Sequence, residues 1–173
     1  MSISFYDLTV TNFLQVADAT AGVLAKGRAH CEAEGIDLGE VYEMKLAPDM
    51  LPFWFQIASV CHHSLGAVKG IESGVFEPPT FRGGTDYADL QAMLDAARDE
   101  LRAYTPDAIE ALGDKSLVFK LGPREMPFTA GDFVMSFSLP NFYFHATTTY
   151  DMLRIKGAEL GKLDFLGKLR LDK

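Results

Sequence analysis

The sequence predicts an all-α fold: four main helices bundled together, crossed by one short extended arm and closed by an irregular C-terminal tail. Three observations carry this. Apolar residues recur at three- and four-residue spacing in four separate stretches, and capping residues, glycines or prolines fall at their borders. Only the stretch 116–128 alternates as a strand does. The composition, 48% hydrophobic and 23% charged over 173 residues, fits one globular domain, 1–173, with a sizeable core.

In the first stretch, "TVTNFLQVADATAGVLAKGRAHCEAEG", the stripe runs through Val10, Phe13 or Leu14, Ala17, Ala21, Leu24 and Cys31. A threonine near its start can cap, Gly35 can end it, and its alanines predict close approach of a neighbouring helix. His30 projects away from the stripe and is expected in solvent. The second stretch, "APDMLPFWFQIASVCHHSLGAVKGI", is expected to start at an Asp49 cap with Pro52 in the first turn. Its stripe passes through Met50, Trp54, Ile57, Cys61, Leu65 and Val68. The segment 72–85 then reads as loop, marked by Pro78-Pro79 and Gly83-Gly84.

A third helix is expected from Thr85, with Leu90, Leu94, Ala97, Leu101 and Tyr104 facing the core and most of its acids facing water. A short helix follows, with Thr105 as cap and Pro106 at its first position. Next comes the strand or arm, then "TAGD", where Thr129 can cap with an acid three residues on. The last main helix is read from about Ala130 to Lys156, kinked or interrupted at Pro140. A hairpin of 116–121 with 133–138 is the competing assignment. Three glycines in "GAELGKLDFLGKLRLDK" argue against a regular helix there, and Phe165 and Leu166 are expected to anchor this tail to the bundle.

The formal charge is −8, from 24 acidic and 16 basic side chains, and no basic run occurs. That argues against nucleic acid or an anionic membrane as partner. No stretch reaches the roughly 18–20 apolar residues of a membrane span. Two cysteines, Cys31 and Cys61, suit a reducing compartment, and "MSISFYDLTV" lacks the features of a secretory signal, so a cytoplasmic location is expected. Both cysteines fall on apolar stripes, as buried thiols rather than activated nucleophiles do.

The segment "PNFYFHATTTYDMLR" holds the most informative residue. At about 100° per residue, His145 falls near the centre of the apolar face, in line with Thr149 and Met152 and beside Thr148. On helix two the wheel turns His62 inward, in line with Phe55 and Ala58, and places His63 in solvent. A polar pocket lined by His145, Thr148, Thr149, Tyr150, His62 and Trp54 is therefore expected to take a small-molecule ligand. Two readings stay open. Either His145 is neutral, buried and hydrogen-bonded to Thr149 or Tyr150, or His62 and His145 converge on a divalent ion such as zinc or nickel. A third ligand is not evident; Asp164 and Asp89 are candidates, and the metal reading implies a hydrolase or thiol transferase.

At "LAPDMLPFWFQIASVC", "FEPPTF", "LPNFYFHATTTYDMLRIKG" and "ELGKLDFLG" the chain resembles a bacterial domain family of unknown function, placed among the DinB-like four-helix bundles. The resemblance runs over nearly the whole chain and is most specific over 139–167. It implies an up-down-down-up bundle with a long crossover, often a homodimer. It also implies a divalent metal held by three histidines, one on helix two and two spaced by four on helix four. Carried over, His145 matches the first of that pair, Thr149 stands at the second, and His62 or His63 matches the helix-two ligand.

Overall fold

The computed structural model describes residues 3–79 and 85–171. The chain enters through a π-helical turn, Asp7–Thr11, that runs straight into α1 (Asn12–Glu34). Gly35, at φ +68°, ends α1 in the left-handed conformation, and its N–H returns to Cys31 O. Close approach is real on this helix. A Cβ on Gly27 would lie 2.6 Å from Leu153 Cδ1. His30 differs from its expected solvated place: it is half-buried, with Nε2 3.0 Å from Lys156 O.

A short α2 (Leu38–Glu43) is capped by Asp37, whose side chain accepts from Gly39 N. The next helix starts later than expected. Asp49 is not its cap; α3 (Phe53–His62) begins after an extended Pro52, with Phe53 N donating to Met44 O. The expected long second helix is also two helices, because His63 and Ser64 turn before α4 (Leu65–Ser73) resumes. Ser64 has non-helical backbone angles, and its hydroxyl donates to Val60 O at 2.7 Å. Such back-bonding competes with continuation of a helix.

Part of the segment expected as loop is a strand, β1 (Val75–Phe76); the Gly83-Gly84 signal lies outside the described residues. β1 pairs in parallel with β2 (Ser116–Leu121), which pairs antiparallel with β3 (Arg124–Thr129) in register Ser116↔Thr129 to Leu121↔Arg124. The alternative pairing with 133–138 does not occur. Gly122, at φ +57°, turns the chain at once and brings the adjacent residues alongside.

Between β1 and β2 come α5 (Tyr87–Ala103), which starts two residues after the expected Thr85 and is capped by Asp86, and α6 (Pro106–Glu110), capped by Thr105. Thr129 caps α7 (Ala130–Phe133) by accepting from Asp132 N. A π-turn, Val134–Ser138, joins α7 to α8 (Leu139–Ile155) without a break. The wider turn sits just before Pro140 and accommodates its missing N–H and its ring, where a kink or interruption was expected. In the tail, α9 (Lys162–Leu166) is a five-residue helix lying on α1. Gln15 Nε2 donates to Leu166 O at 3.0 Å, and the Phe165 ring meets Tyr150 at 6.3 Å, so the anchor is as expected.

α1 packs on α5 and α8, and α3 packs on the same two, which puts α1 and α3 at opposite corners of the bundle. Phe13, Phe53, Phe142, Ile57, Leu90, Leu94 and Leu101 fill the space between them. Among the described residues no helix is long and apolar enough to cross a membrane.

Candidate functional site

α3 and α8 pack side by side and antiparallel. At one end Ser138 Oγ, just before α8, donates to His63 O at 2.7 Å; at the other, the His145 ring meets Gln56. Gln56 stands inside the run "FWFQIASVC", buried, with its amide fully used. Its Nε2 donates to Leu51 O (3.0 Å) and Pro52 O (3.4 Å), both acceptors only, so Oε1 faces His145. Oε1 is itself an acceptor and lies 2.8 Å from His145 Nδ1. Nδ1 therefore carries the proton, and Nε2 is left with its lone pair.

The threonines play another part than expected. Thr149 Oγ1 donates to His145 O at 2.9 Å and Thr148 Oγ1 to Phe144 O at 2.8 Å, each bonding back one turn on its own helix. Tyr150 donates to Leu160 O. Neither Thr149 nor Tyr150 holds the His145 ring. Gln56 does.

The helix-two histidines are also placed differently. His63, expected in solvent, is 8% exposed. Its ring lies 6.0 Å from that of His145 at an interplanar angle of 11°, with Phe76 and Phe137 each at 5.6 Å. The reason is that α3 is buried on more than one face. Besides its apolar stripe it has a second one through Gln56, Ser59, Val60 and His63, and a wheel with a single core face misses it. His62 is half-buried and stacks on Phe76 at 4.3 Å. His62 Nε2 and His63 Nδ1 are buried and have no hydrogen-bond partner.

Burial pushes the His145 imidazole down to about 4. Burial pushes His63 down to about 3, helped by its neighbours His62 and His145. His62 is lowered by burial, against an opposing pull from the Glu77 backbone. All three rings are neutral at neutral pH. The Cys61 thiol is pushed up to about 12 by burial, which removes it as a nucleophile.

The six residues expected around one pocket occupy separate neighbourhoods. His145 faces Gln56, and Thr149 is buried beneath it. Thr148 lines a groove of about 490 Å³ with Leu46, Met50, Pro140, Tyr143 and Phe144. Tyr150 faces the tail, and Trp54 stacks on Tyr42 of α2 at 6.5 Å. His62 walls a cleft of about 300 Å³ between α3, α4 and α5, with Cys61, Leu65, Gly66, Met93 and Ala97. Sequence reasoning missed Gln56 and His63 as partners; their seven-residue separation was the available signal.

The suggested carboxylates do not reach this region. Asp164 pairs with Lys26 at 2.6 Å and accepts from Gly161 N, while Asp89 accepts from Thr85. Among the described residues, no three His, Cys, Asp or Glu side chains are grouped to hold a metal ion.

A family model for the domain of unknown function DUF1993 matches residues 5–166. The chain belongs to the DUF1993 family. Its fold is that of the DinB-like bundles. A crystal structure of a DinB family member protein from Shewanella denitrificans superposes with a TM-score of 0.81 at 23% identity, over 97% of this chain and 94% of that one. No curated protein matches the chain. The DUF1993 match spans every element from the entry turn to α9, including the α3–α8 polar layer.

Proposed function

We propose that the protein binds a small molecule through the imidazoles of α3 and α8. One observation carries this reading: His63 Nδ1 is buried without a partner, and next to it the half-buried His62 has the Glu77 backbone beside its ring. Nearby, Gln56, Ser64, Ser138, Thr148 and Thr149 are all hydrogen-bonded. An unsatisfied buried polar atom costs on the order of 1–3 kcal/mol, so its retention calls for a bond made at another time.

The chemistry of the rings sets the class of ligand. Neutral imidazoles give an anion no charge to pair with, and the free lone pair of His145 Nε2 accepts from an N–H or O–H donor. The cleft beside His62 is lined by Cys61, Leu65, Met93 and Ala97, with Lys69 and Glu100 paired to each other on its wall, which suits a compact, largely apolar molecule.

The test is native mass spectrometry of untagged protein, wild type against His63→Phe, followed by NMR titration of both with 2-pyridone and indole as probes. The expected result is a co-purifying small molecule or a saturable shift of the histidine Cε1–H signals, weakened in the variant. Wild-type protein with no bound mass and no histidine shift with either probe would overturn the reading.

A further inference from the structure

The DinB-like resemblance implies a metal held by one histidine on helix two and two on helix four. The residues that stand there in this chain do not fit one. On α8 the two positions four apart are His145 and Thr149. On α3 the side chain hydrogen-bonded to the His145 ring is Gln56, at 2.8 Å, while the Phe55 and His63 rings only pack beside it, at 5.9 and 6.0 Å. His62 lies instead against Phe76, and the His63 carbonyl is level with Ser138, two turns along α3 from Gln56. The layer facing the helix-four pair is thus Gln56, His145 and Thr149.

We infer that this layer is a hydrogen-bonded lock standing in the place of the metal centre, with the atoms of Gln56 and His145 that face each other committed to each other. His145 Nδ1 faces the layer as an N–H and has no lone pair to give. The Gln56 amide oxygen is occupied by that N–H, and its nitrogen is tied to the Leu51 and Pro52 carbonyls. The Thr149 hydroxyl gives its proton to His145 O, which turns the group back along its own helix. An ion entering here meets a neutral amide, a hydroxyl and a protonated ring nitrogen, in place of imidazole lone pairs. To bind between Gln56 and His145 it would have to break their bond and flip or retautomerise His145, because the free ring lone pair, on Nε2, is not the one that faces Gln56. The lock also explains why the α3 partner is a glutamine. Only an amide, or a residue like it, can accept from the ring at one end and donate to two helix-start carbonyls at the other. A leucine there would take the partner from the His145 ring N–H and from Leu51 O, while Pro52 O would keep Phe55 N.

This inference stands apart from the ligand proposed above, which uses the other ring nitrogens. It predicts that metal affinity is absent because of two side chains, and that changing them restores it. Cobalt(II) is the probe, read by its visible absorption, with calorimetric zinc titration alongside. Wild type and His145→Ala should show the same weak, non-saturating response. Gln56→His, close in size to the native residue, should gain more than about tenfold in cobalt affinity. Gln56→His with Thr149→His should gain further, and adding His145→Ala should abolish both gains. Since Thr149 is fully buried, the larger side chain in the double variant can impair folding, in which case the single variant decides. One equivalent of zinc on wild type, lost in His145→Ala, would overturn the inference. So would a folded Gln56→His that gains nothing. A nitrogen-15 spectrum of wild type gives the independent check: His145 is expected as the Nδ1–H tautomer, and the Nε2–H tautomer would refute the lock.

Discussion

Two polar positions on α3, seven residues apart, are treated in opposite ways. Gln56 and the ring it holds are satisfied at every end that faces the core. His63, two turns on, is as deeply buried, yet one ring nitrogen has no partner. Both side chains meet His145 of α8, Gln56 by a hydrogen bond and His63 by ring packing. The difference is what surrounds them. Just before α3 the Leu51 and Pro52 carbonyls lie within reach of the amide, whereas at its end the rings of Phe76 and Phe137 lie against the imidazole and offer nothing polar. The first position ties two helices together; the second leaves a buried imidazole nitrogen unpaired.

The largest expected effect is on pH dependence. In the unfolded chain His63 and His145 protonate near the usual 6.5; in the folded chain they are held to about 3 and about 4. The unfolded state therefore binds more protons as pH falls below 6.5, and stability present above that pH is lost on the way down. By pH 4.5 the loss should be on the order of a few kcal/mol, read from urea midpoints at successive pH values. The His63→Phe variant should show a shallower slope between pH 6.5 and 5, above the range where carboxylates titrate. Equal slopes would remove His63 from the comparison.

The amide–imidazole lock comes next. His145→Leu leaves Gln56 Oε1 buried and unpaired and should cost about 1–3 kcal/mol, as should Gln56→Leu. The double change removes both partners and should cost less than the sum by about 1 kcal/mol or more. Strict additivity would show that the bond contributes nothing to the layer. At pH 7.5, where the rings are neutral, His63→Phe should raise stability by about 1 kcal/mol because it deletes an unsatisfied nitrogen and keeps a ring. A loss instead would mean that His63 has a bond partner in solution. The smallest effect is expected at the junction of the two regions. Ser138→Ala removes one buried donor from His63 O and should cost about 0.5–1.5 kcal/mol in the same denaturation experiment.

Much of the fold was legible because its causes are local. The stripe of α5, the caps at Thr105 and Thr129, and the end of α1 at Gly35 each depend on a few neighbouring residues, and the structure has them as expected. The break after His62 was less legible. Its signal is one serine hydroxyl turning back to a carbonyl in an otherwise helical pattern. β1 is two residues long and was read as loop, since a strand that short has no period of its own and exists only by pairing with Val118 and Phe119. His145 was found from its place on a wheel. Gln56 was not, because a polar residue in an apolar run shows nothing of the chain that will meet it.

By itself, then, the sequence determined which stretches are mainly helical, several of their caps, and that one of them turns a histidine toward the core with threonines beside it. These follow from propensity, capping and periodicity, which act over a few residues. Tertiary structure alone decided that α3 is enclosed on several faces, that His63 lies inside, and that a glutamine 89 positions away chooses the tautomer of His145. Those outcomes depend on which surfaces meet and on which polar atoms water can still reach.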